Sequence, residues 1–262
     1  MSAVVLLNPQ AGGGRAAGLR RPMADWLAHH APGVSLLMPE GVQAARARLA
    51  ILAPRTRVAL VGGDGTLSAM LPALLRNGLR VGLVPAGRAN RVAGALGLGA
   101  LDWARALMYA LHAPTAPVDV GLLETDRTVL HFIGSVTTEG PLPRSVLRID
   151  REPAPAPRDL ASLRIGNAHA GGSPFDGRLD VFAERAVHRL RRLFQPADRR
   201  TEHRTARRLH LETGQPVRLR VDGDLLPGAC TGLRADILPR ALDLTGPHAA
   251  AAHPSRIADT AW

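Results

Sequence analysis

Val58-Ala59-Leu60-Val61-Gly62-Gly63-Asp64-Gly65-Thr66-Leu67 is the stretch from which the architecture can be read. Residues 58–61 have the texture of a short, wholly apolar strand, and the apolar spacing over 67–77 predicts the helix that follows it. Between the two stands a carboxylate flanked by three glycines. A simple reversal needs only a two-residue Asp-Gly turn, so the extra glycines point to something that approaches the backbone closely. Glycine amides can donate to phosphate oxygens, Thr66 adds a hydroxyl at the helix start, and Asp64 can hold Mg2+ or order reacting groups.

Outward from this stretch the same rhythm repeats. Residues 4–7, 34–38 and 81–84 read as further buried strands, and 15–29, 42–52 and 100–111 as the helices between them, which predicts an α/β layer with a parallel sheet over residues 1–115. In such sheets ligands sit beyond the carboxyl ends of the strands. Past Pro117 the texture turns to strand-like pieces at 129–135, 178–182, 207–212, 217–221 and 241–244, with one basic helical candidate at 184–194. The expectation is a mostly β domain over 116–247, a stiff Pro-rich connector at 151–158, and a disordered tail over 248–262.

Two more loops follow predicted strands. Asn8-Pro9-Gln10-Ala11-Gly12-Gly13-Gly14-Arg15 brings consecutive glycines to a helix start, where amide hydrogens favour an anion. Gly12, Gly14 and Ala17 also satisfy the dinucleotide pattern G-x-G-x-x-A, with Glu40 at about the distance of a ribose-binding acid, but the glycines begin only after an Asn-Pro-Gln insertion. Pro85-Ala86-Gly87-Arg88-Ala89-Asn90-Arg91 ends the fourth strand, and Asn90 can cap the next helix or hydrogen-bond a nucleotide.

Composition removes several alternatives. All 33 basic residues are arginine and the formal net charge is +11. Without lysine, Schiff-base chemistry and a Walker phosphate loop are excluded. Aromatic residues make up only 3% of the chain, so the stacking platform of a single-strand binder is missing and nucleic acid is not the expected partner. Cys230 is the lone cysteine and reads as buried filler. No apolar run is long enough to span a bilayer, and the start of the chain reads as a first core strand instead of a signal peptide, so a cytoplasmic location is expected.

Asn8-Pro-x-x-Gly12, Gly62-Gly63-Asp64-Gly65-Thr66 and Pro85-x-Gly87-x-x-Asn90, in this order and each at a strand end, resemble the catalytic domain shared by diacylglycerol kinases, sphingosine kinases and bacterial lipid kinases. The second domain is similar in places: Val118-Asp-Val-Gly121, Asp176-Gly-Arg-Leu-Asp180, Val221-Asp222-Gly-Asp224 and Ile237-Leu-Pro239. The resemblance implies that the three loops bind ATP, that a β-rich domain follows, and that lipid lies in a cleft between the two. It makes Asn8, Gly12, Gly13, Gly62, Gly63, Gly65, Thr66, Gly87, Arg88 and Asn90 nucleotide-binding candidates. Asp222-Gly223 also reads as a two-residue hairpin turn. In the family the matching turn is usually Asp-Gly-Glu and carries a candidate general base, with Asp224 here in the place of the Glu. Three features depart from the family pattern: Arg88 stands where Thr is usual, 137–143 lacks a Gly-x-Asp-Ala sequence, and the following segment is short.

The expected function is therefore transfer of the ATP γ-phosphoryl group to a lipid hydroxyl, with Asp64 organising Mg2+ and Asp222 or Asp64 accepting the proton. Diacylglycerol or a related lipid alcohol is the expected acceptor. Arg185, Arg189, Arg191 and Arg192 could dock on an anionic membrane surface, although a solvated helix face is the preferred reading of them. A homodimer is compatible with this reading. Two rivals stay open: a nucleotide- or lipid-binding protein without turnover, and an NAD kinase, which shares the Gly-Gly-Asp-Gly-Thr loop but carries a downstream Asn-Glu motif that is missing here.

Overall fold

A computed structural model describes residues 3–152, 156, 158–167, 173–186 and 201–246. The chain forms two compact units, Met1–Val118 together with Arg240–Trp262, and Asp119–Pro239. The chain thus returns to the first unit near its C-terminus, whereas the sequence suggests two consecutive domains.

The first unit is built on β1 (Ala3–Leu7), β2 (Ser35–Leu37), β3 (Arg57–Gly62) and β4 (Arg80–Pro85). β1 pairs in parallel with β2 and β3, and β3 pairs in parallel with β4. The returning strand β14 (Cys230–Thr245) adds Asp243 and Leu244 in parallel beside Arg80 and Val81. Central strands of a parallel sheet are covered on both faces, which is why β3 reads as an unbroken buried run. One face packs Val5, Leu7, Ala59, Val61 and Val84 against Met23 and Leu27 of α1 (Arg20–His30) and Ala106, Leu107, Ala110 and Leu111 of α5 (Trp103–His112). Alternation sends Leu6, Leu60 and Leu83 to the other face, which is that of α3 (Asp64–Arg76) with its buried Leu67, Leu71 and Leu74.

Local chemistry explains where these helices start and stop. The single helix expected over 15–29 is a 3-10 turn, Arg15–Leu19, followed by α1, and Pro22 is tolerated because it lies in the first turn of α1. Asp102 caps α5 by accepting the Arg105 amide hydrogen at 2.9 Å. At the other end of α5 the buried Arg57 donates to the carbonyls of Ala110 and Ala113, where the helix dipole favours a cation. Burial and the neighbouring Arg80 push the Arg57 guanidinium pKa down. Asn77 donates its side-chain amide to Leu49, Ala50 and Leu52 and so closes α2 (Gly41–Ala50).

In the second unit the strands are antiparallel. β7 (Ser135–Glu139), β8 (Leu142–Ile149), β9 (Arg158–Gly166), β10 (Leu179–Arg185), β11 (Thr201–Ala206) and β12 (Arg208–Val221) surround one apolar core. β12 pairs with β8 through Leu209–Glu212 and with β7 through Arg218–Val221, its register shifting between Glu212 and Val217. That irregularity, at Gly214 and Pro216, makes one strand of what the sequence presents as two. Of the helical candidate at 184–194, Glu184 and Arg185 belong to β10 and Ala186 donates its N–H to the Asp159 carbonyl, while 187–194, like the tail from residue 247, lies outside the described residues. Among the described residues no helix is long and apolar enough to cross a membrane.

The packing of α5 on β4 leaves no room at Gly82, where an added Cβ would stand 2.2 Å from Ala110 Cα and 2.4 Å from its Cβ. Gly82→Ala is expected to lower the unfolding free energy by about 3 kcal/mol in chemical denaturation. Gly18→Ala, where nothing lies within 4 Å, should leave it unchanged or slightly raised.

Candidate functional site

The carboxyl ends of β1, β3 and β4 bring three loops together. Asn8, at the end of β1, donates its backbone N–H to Val61 and its side-chain amide to the Thr66 hydroxyl at 2.8 Å. Its side-chain oxygen turns the chain by accepting from Gln10 N–H at 3.0 Å. Gly12, Gly13 and Gly14 all have left-handed backbone, with φ of 66°, 74° and 91°. A Cβ on Gly12 would meet the Ala86 carbonyl oxygen at 2.6 Å, so the first loop lies directly on the third.

The second and third loops touch backbone to backbone. A Cβ on Gly63 would stand 2.8 Å from Gly87 Cα, and one on Gly87 would stand 2.5 Å from Gly63 Cα. Any side chain at either position would force the loops apart. Asn90 has left-handed backbone, and its side-chain oxygen accepts from Gly87 N–H at 2.9 Å while its amide donates to the Gly87 carbonyl at 3.1 Å. It therefore braces its own loop. The start of α4 (Arg91–Ala95), a helix too short for periodicity to announce, is capped from across the gap: Asp64 accepts from Arg91 N–H at 2.9 Å and from Val92 N–H at 3.1 Å. A carboxylate at a helix start is stabilising. Asp64 is half-buried and bound into the fold, where the sequence suggested a loop carboxylate committed to a metal.

Arg88 is exposed and leans toward the first loop, its Nη2 atom 3.7 Å from where a Cβ of Gly13 would be. It does not fill the Gly62–Gly65 turn. Arg15 donates from Nε to the Gly12 carbonyl at 3.0 Å. Nothing in the sequence marked Arg15 beyond its place in the loop, because a lone arginine after glycines is uninformative until the neighbouring loop is located.

Asp222 and Asp224 belong to the second unit. Asp222 is buried with φ of 49° and accepts three backbone N–H groups, from Ile133 at 3.0 Å and from Gly134 and Ser135 at 2.8 Å each. These bonds divide the expected strand 129–135 into β6 (Val129–Phe132) and β7. Asp222 is therefore far more than a replaceable turn residue. Asp224 lies exposed on the short strand β13 (Asp224–Leu225), paired with Val221 of β12, and its carboxylate makes no hydrogen bond or ion pair among the described residues.

Asp119, in the motif around Val118, had no role assigned from the sequence. It is fully buried, accepts from Gly177 N–H at 2.6 Å, and takes the Asn167 side-chain amide on its carbonyl at 2.8 Å. A charge inside the Val-Asp-Val run was the available signal, since buried carboxylates need partners. Loss of hydration pushes the nearby Asp176 carboxyl pKa up, and the charges of Asp180 and Asp119 add to this against the Arg178 amide bond. Of the basic residues at 185, 189, 191 and 192, Arg185 is paired with Glu202 and the other three lie outside the described residues.

Glycine loops meeting at the carboxyl edge of a parallel sheet, with a carboxylate and a hydroxyl among them, define a nucleotide-binding phosphotransferase. Residues 2–123 match the family model of the diacylglycerol kinase catalytic domain, and this part of the chain belongs to that kinase family. A diacylglycerol kinase from Bacillus anthracis is similar in structure, with a TM-score of 0.71 at 19% identity over 95% of this chain and 98% of that one. An NAD kinase from Archaeoglobus fulgidus in complex with ATP gives 0.59 at 11% identity over the full length of both. Yeast NADH kinase complexed with NADH gives 0.57 at 12% identity, over 100% of this chain and 89% of that one. These identities establish a shared fold. No curated sequence matches the chain significantly.

In Asp222→Asn, one of the two acceptor oxygens becomes an NH2 facing a buried N–H. The variant should lose about 1–3 kcal/mol of stability, read as a lower denaturation midpoint, even though Asn-Gly suits a turn as well as Asp-Gly.

Proposed function

We propose that this chain transfers the γ-phosphoryl group of ATP to the hydroxyl of a lipid alcohol such as diacylglycerol. The observation that carries this reading is the convergence of the three loops: Asn8 on Thr66, Gly12 on Ala86, and Gly63 on Gly87. Phosphoryl transfer asks a protein mainly for positioning and charge neutralisation, and preorganised glycine amides with a hydroxyl supply both. In this reading the loops hold the phosphates, with the Thr66 hydroxyl and the amides of Gly63 and Gly65 as donors, while Gly62 belongs to the ladder of β3 with β4.

Mg2+ fits this donor set in one way. Among the described residues no group of three or more His, Cys, Asp or Glu side chains could hold a metal by themselves. Mg2+ in nucleotide sites commonly uses one or two carboxylates together with phosphate oxygens. Each Asp64 oxygen accepts one amide hydrogen and retains a lone pair, so Asp64 would be the protein ligand. When bound, the ion neutralises phosphate charge. Proton acceptance is assigned to Asp224, whose carboxylate is exposed and has no partner among the described residues, in line with the acidic turn of the family that the sequence resembles.

Incubation with labelled ATP, Mg2+, a panel of lipid alcohols and NAD is expected to give a phosphorylated lipid and no NADP. A labelled NADP product, or no product with any acceptor, overturns the reading. Asp224→Asn should slow transfer by about a hundredfold or more with ATP affinity retained, and an unchanged rate would remove Asp224 from the mechanism.

The acceptor also implies work at a lipid surface. With a net charge of +11, the protein is expected to bind vesicles containing anionic lipid and to leave them as salt rises. Sedimentation that does not distinguish anionic from neutral vesicles would exclude this docking.

A further inference from the structure

The charge of the first unit is unevenly matched. Between residues 1 and 118 the only acids are Asp25, Glu40, Asp64 and Asp102, against arginines at 15, 20, 21, 46, 48, 55, 57, 76, 80, 88, 91 and 105. Within residues 3–118, Arg105 is paired with Asp102. At the loops the single acid is Asp64, and both its oxygens are taken by backbone amides of α4. Among the described residues Arg15 and Arg88 therefore stand without a carboxylate partner.

They also stand over the same short piece of backbone. Arg15 places Nε and Nη2 at 3.4 and 3.6 Å from the position of a Gly12 Cβ, and Arg88 places Nη2 at 3.7 Å from that of Gly13. The Gly12 and Gly13 amides donate to nothing among the described residues, whereas Gly14 N–H is used by the Gln10 carbonyl. Successive backbone N–H groups in a tight turn are a common way for backbone to bind oxyanions, and the Gly12 and Gly13 amides have no other partner among the described residues. Two guanidinium groups repel each other unless an anion lies between them, and their planar forks suit phosphate. None of the loops at 8–15, 62–67 and 85–93 contains an aromatic residue on which a base could stack.

We propose that Arg15 and Arg88 form a clamp over Gly12–Gly13 for the terminal phosphates of a triphosphate chain, so that the donor is selected by phosphate number and hardly by base. The clamp rests on the nucleotide-site reading above and deepens it. Its chemistry is shared by nucleoside triphosphates and by free inorganic polyphosphate.

The test is calorimetric titration of the full chain with ATP, GTP, ADP, AMP and sodium tripolyphosphate, for wild type, Arg15→Gln, Arg88→Gln and, as a control, Arg105→Gln. Circular dichroism checks that each variant is folded. The expected result is that tripolyphosphate binds and displaces ATP, GTP binds within a few-fold of ATP, and AMP binds at least about tenfold more weakly. Each clamp substitution should weaken ATP and tripolyphosphate by about tenfold or more, as loss of a charge-assisted hydrogen bond does, while AMP and the Arg105→Gln titrations stay unchanged. Arg88→Lys should restore only part of the affinity, since it keeps the charge and loses the fork. The clamp is overturned if folded Arg15→Gln and Arg88→Gln bind ATP as wild type does, if Arg88→Gln binds it more tightly, or if ATP binds and tripolyphosphate does not. The two readings fail separately: binding as expected with no lipid phosphorylated leaves the clamp and removes the kinase, while lipid phosphorylation with unaltered ATP affinity in both variants does the reverse.

Discussion

Gly63 and Gly87 meet with no space for a side chain on either, and that contact sets the geometry of everything at the carboxyl edge of the sheet. It fixes how far the third loop stands from the second, and so places Asp64 within hydrogen-bond reach of the first amides of α4. Asn90 holds Gly87 from within the same loop, and Ala86 receives Gly12 from the first. Close backbone approaches and directional hydrogen bonds together hold the three loops as one floor. A preformed floor of amides lowers the entropic cost of holding a phosphate chain in line, which is the greater part of what phosphoryl transfer requires.

The acids of the motifs turn out to serve the backbone as well as chemistry. Asp64 caps a helix that follows a different strand, and Asp222 gathers three N–H groups where one strand breaks into two. Both use the same principle: a carboxylate satisfies several amides that would otherwise be buried without partners. Such residues give an ambiguous result when mutated, because loss of activity can follow from loss of local structure. Asp224 and the arginines over the first loop are exposed and are not tied into the fold in this way, which makes them cleaner probes of function.

Charge follows the same division of labour. The second unit pairs many of its arginines, as in Arg204 with Glu152 and Arg220 with Glu139, while among the described residues 3–118 most arginines have no acid partner. Exposed pairs contribute little to stability. The unpaired set around the glycine loops therefore makes sense as a field for an anionic ligand more than as a device for holding the fold.

Much was legible in the sequence because it depends on neighbours along the chain. Apolar runs at 58–61 and 81–84, helical spacing after them, and glycines at the strand ends mark the α/β layer and its three loops, since strand and helix periods and turn chemistry are local properties. The motif order pointed to the kinase family for the same reason. What required the tertiary structure was every relation between distant segments. The return of the chain through Asp243 and Leu244, the joining of two expected strands into β12, the assignment of Asp64 to the amides of α4, and the reach of Arg88 to Gly13 are set by packing between residues far apart in sequence. A sequence specifies which hydrogen-bonding groups and charges are present, but which of them find each other is decided only when packing brings the strand ends together and sets which partners lie within reach.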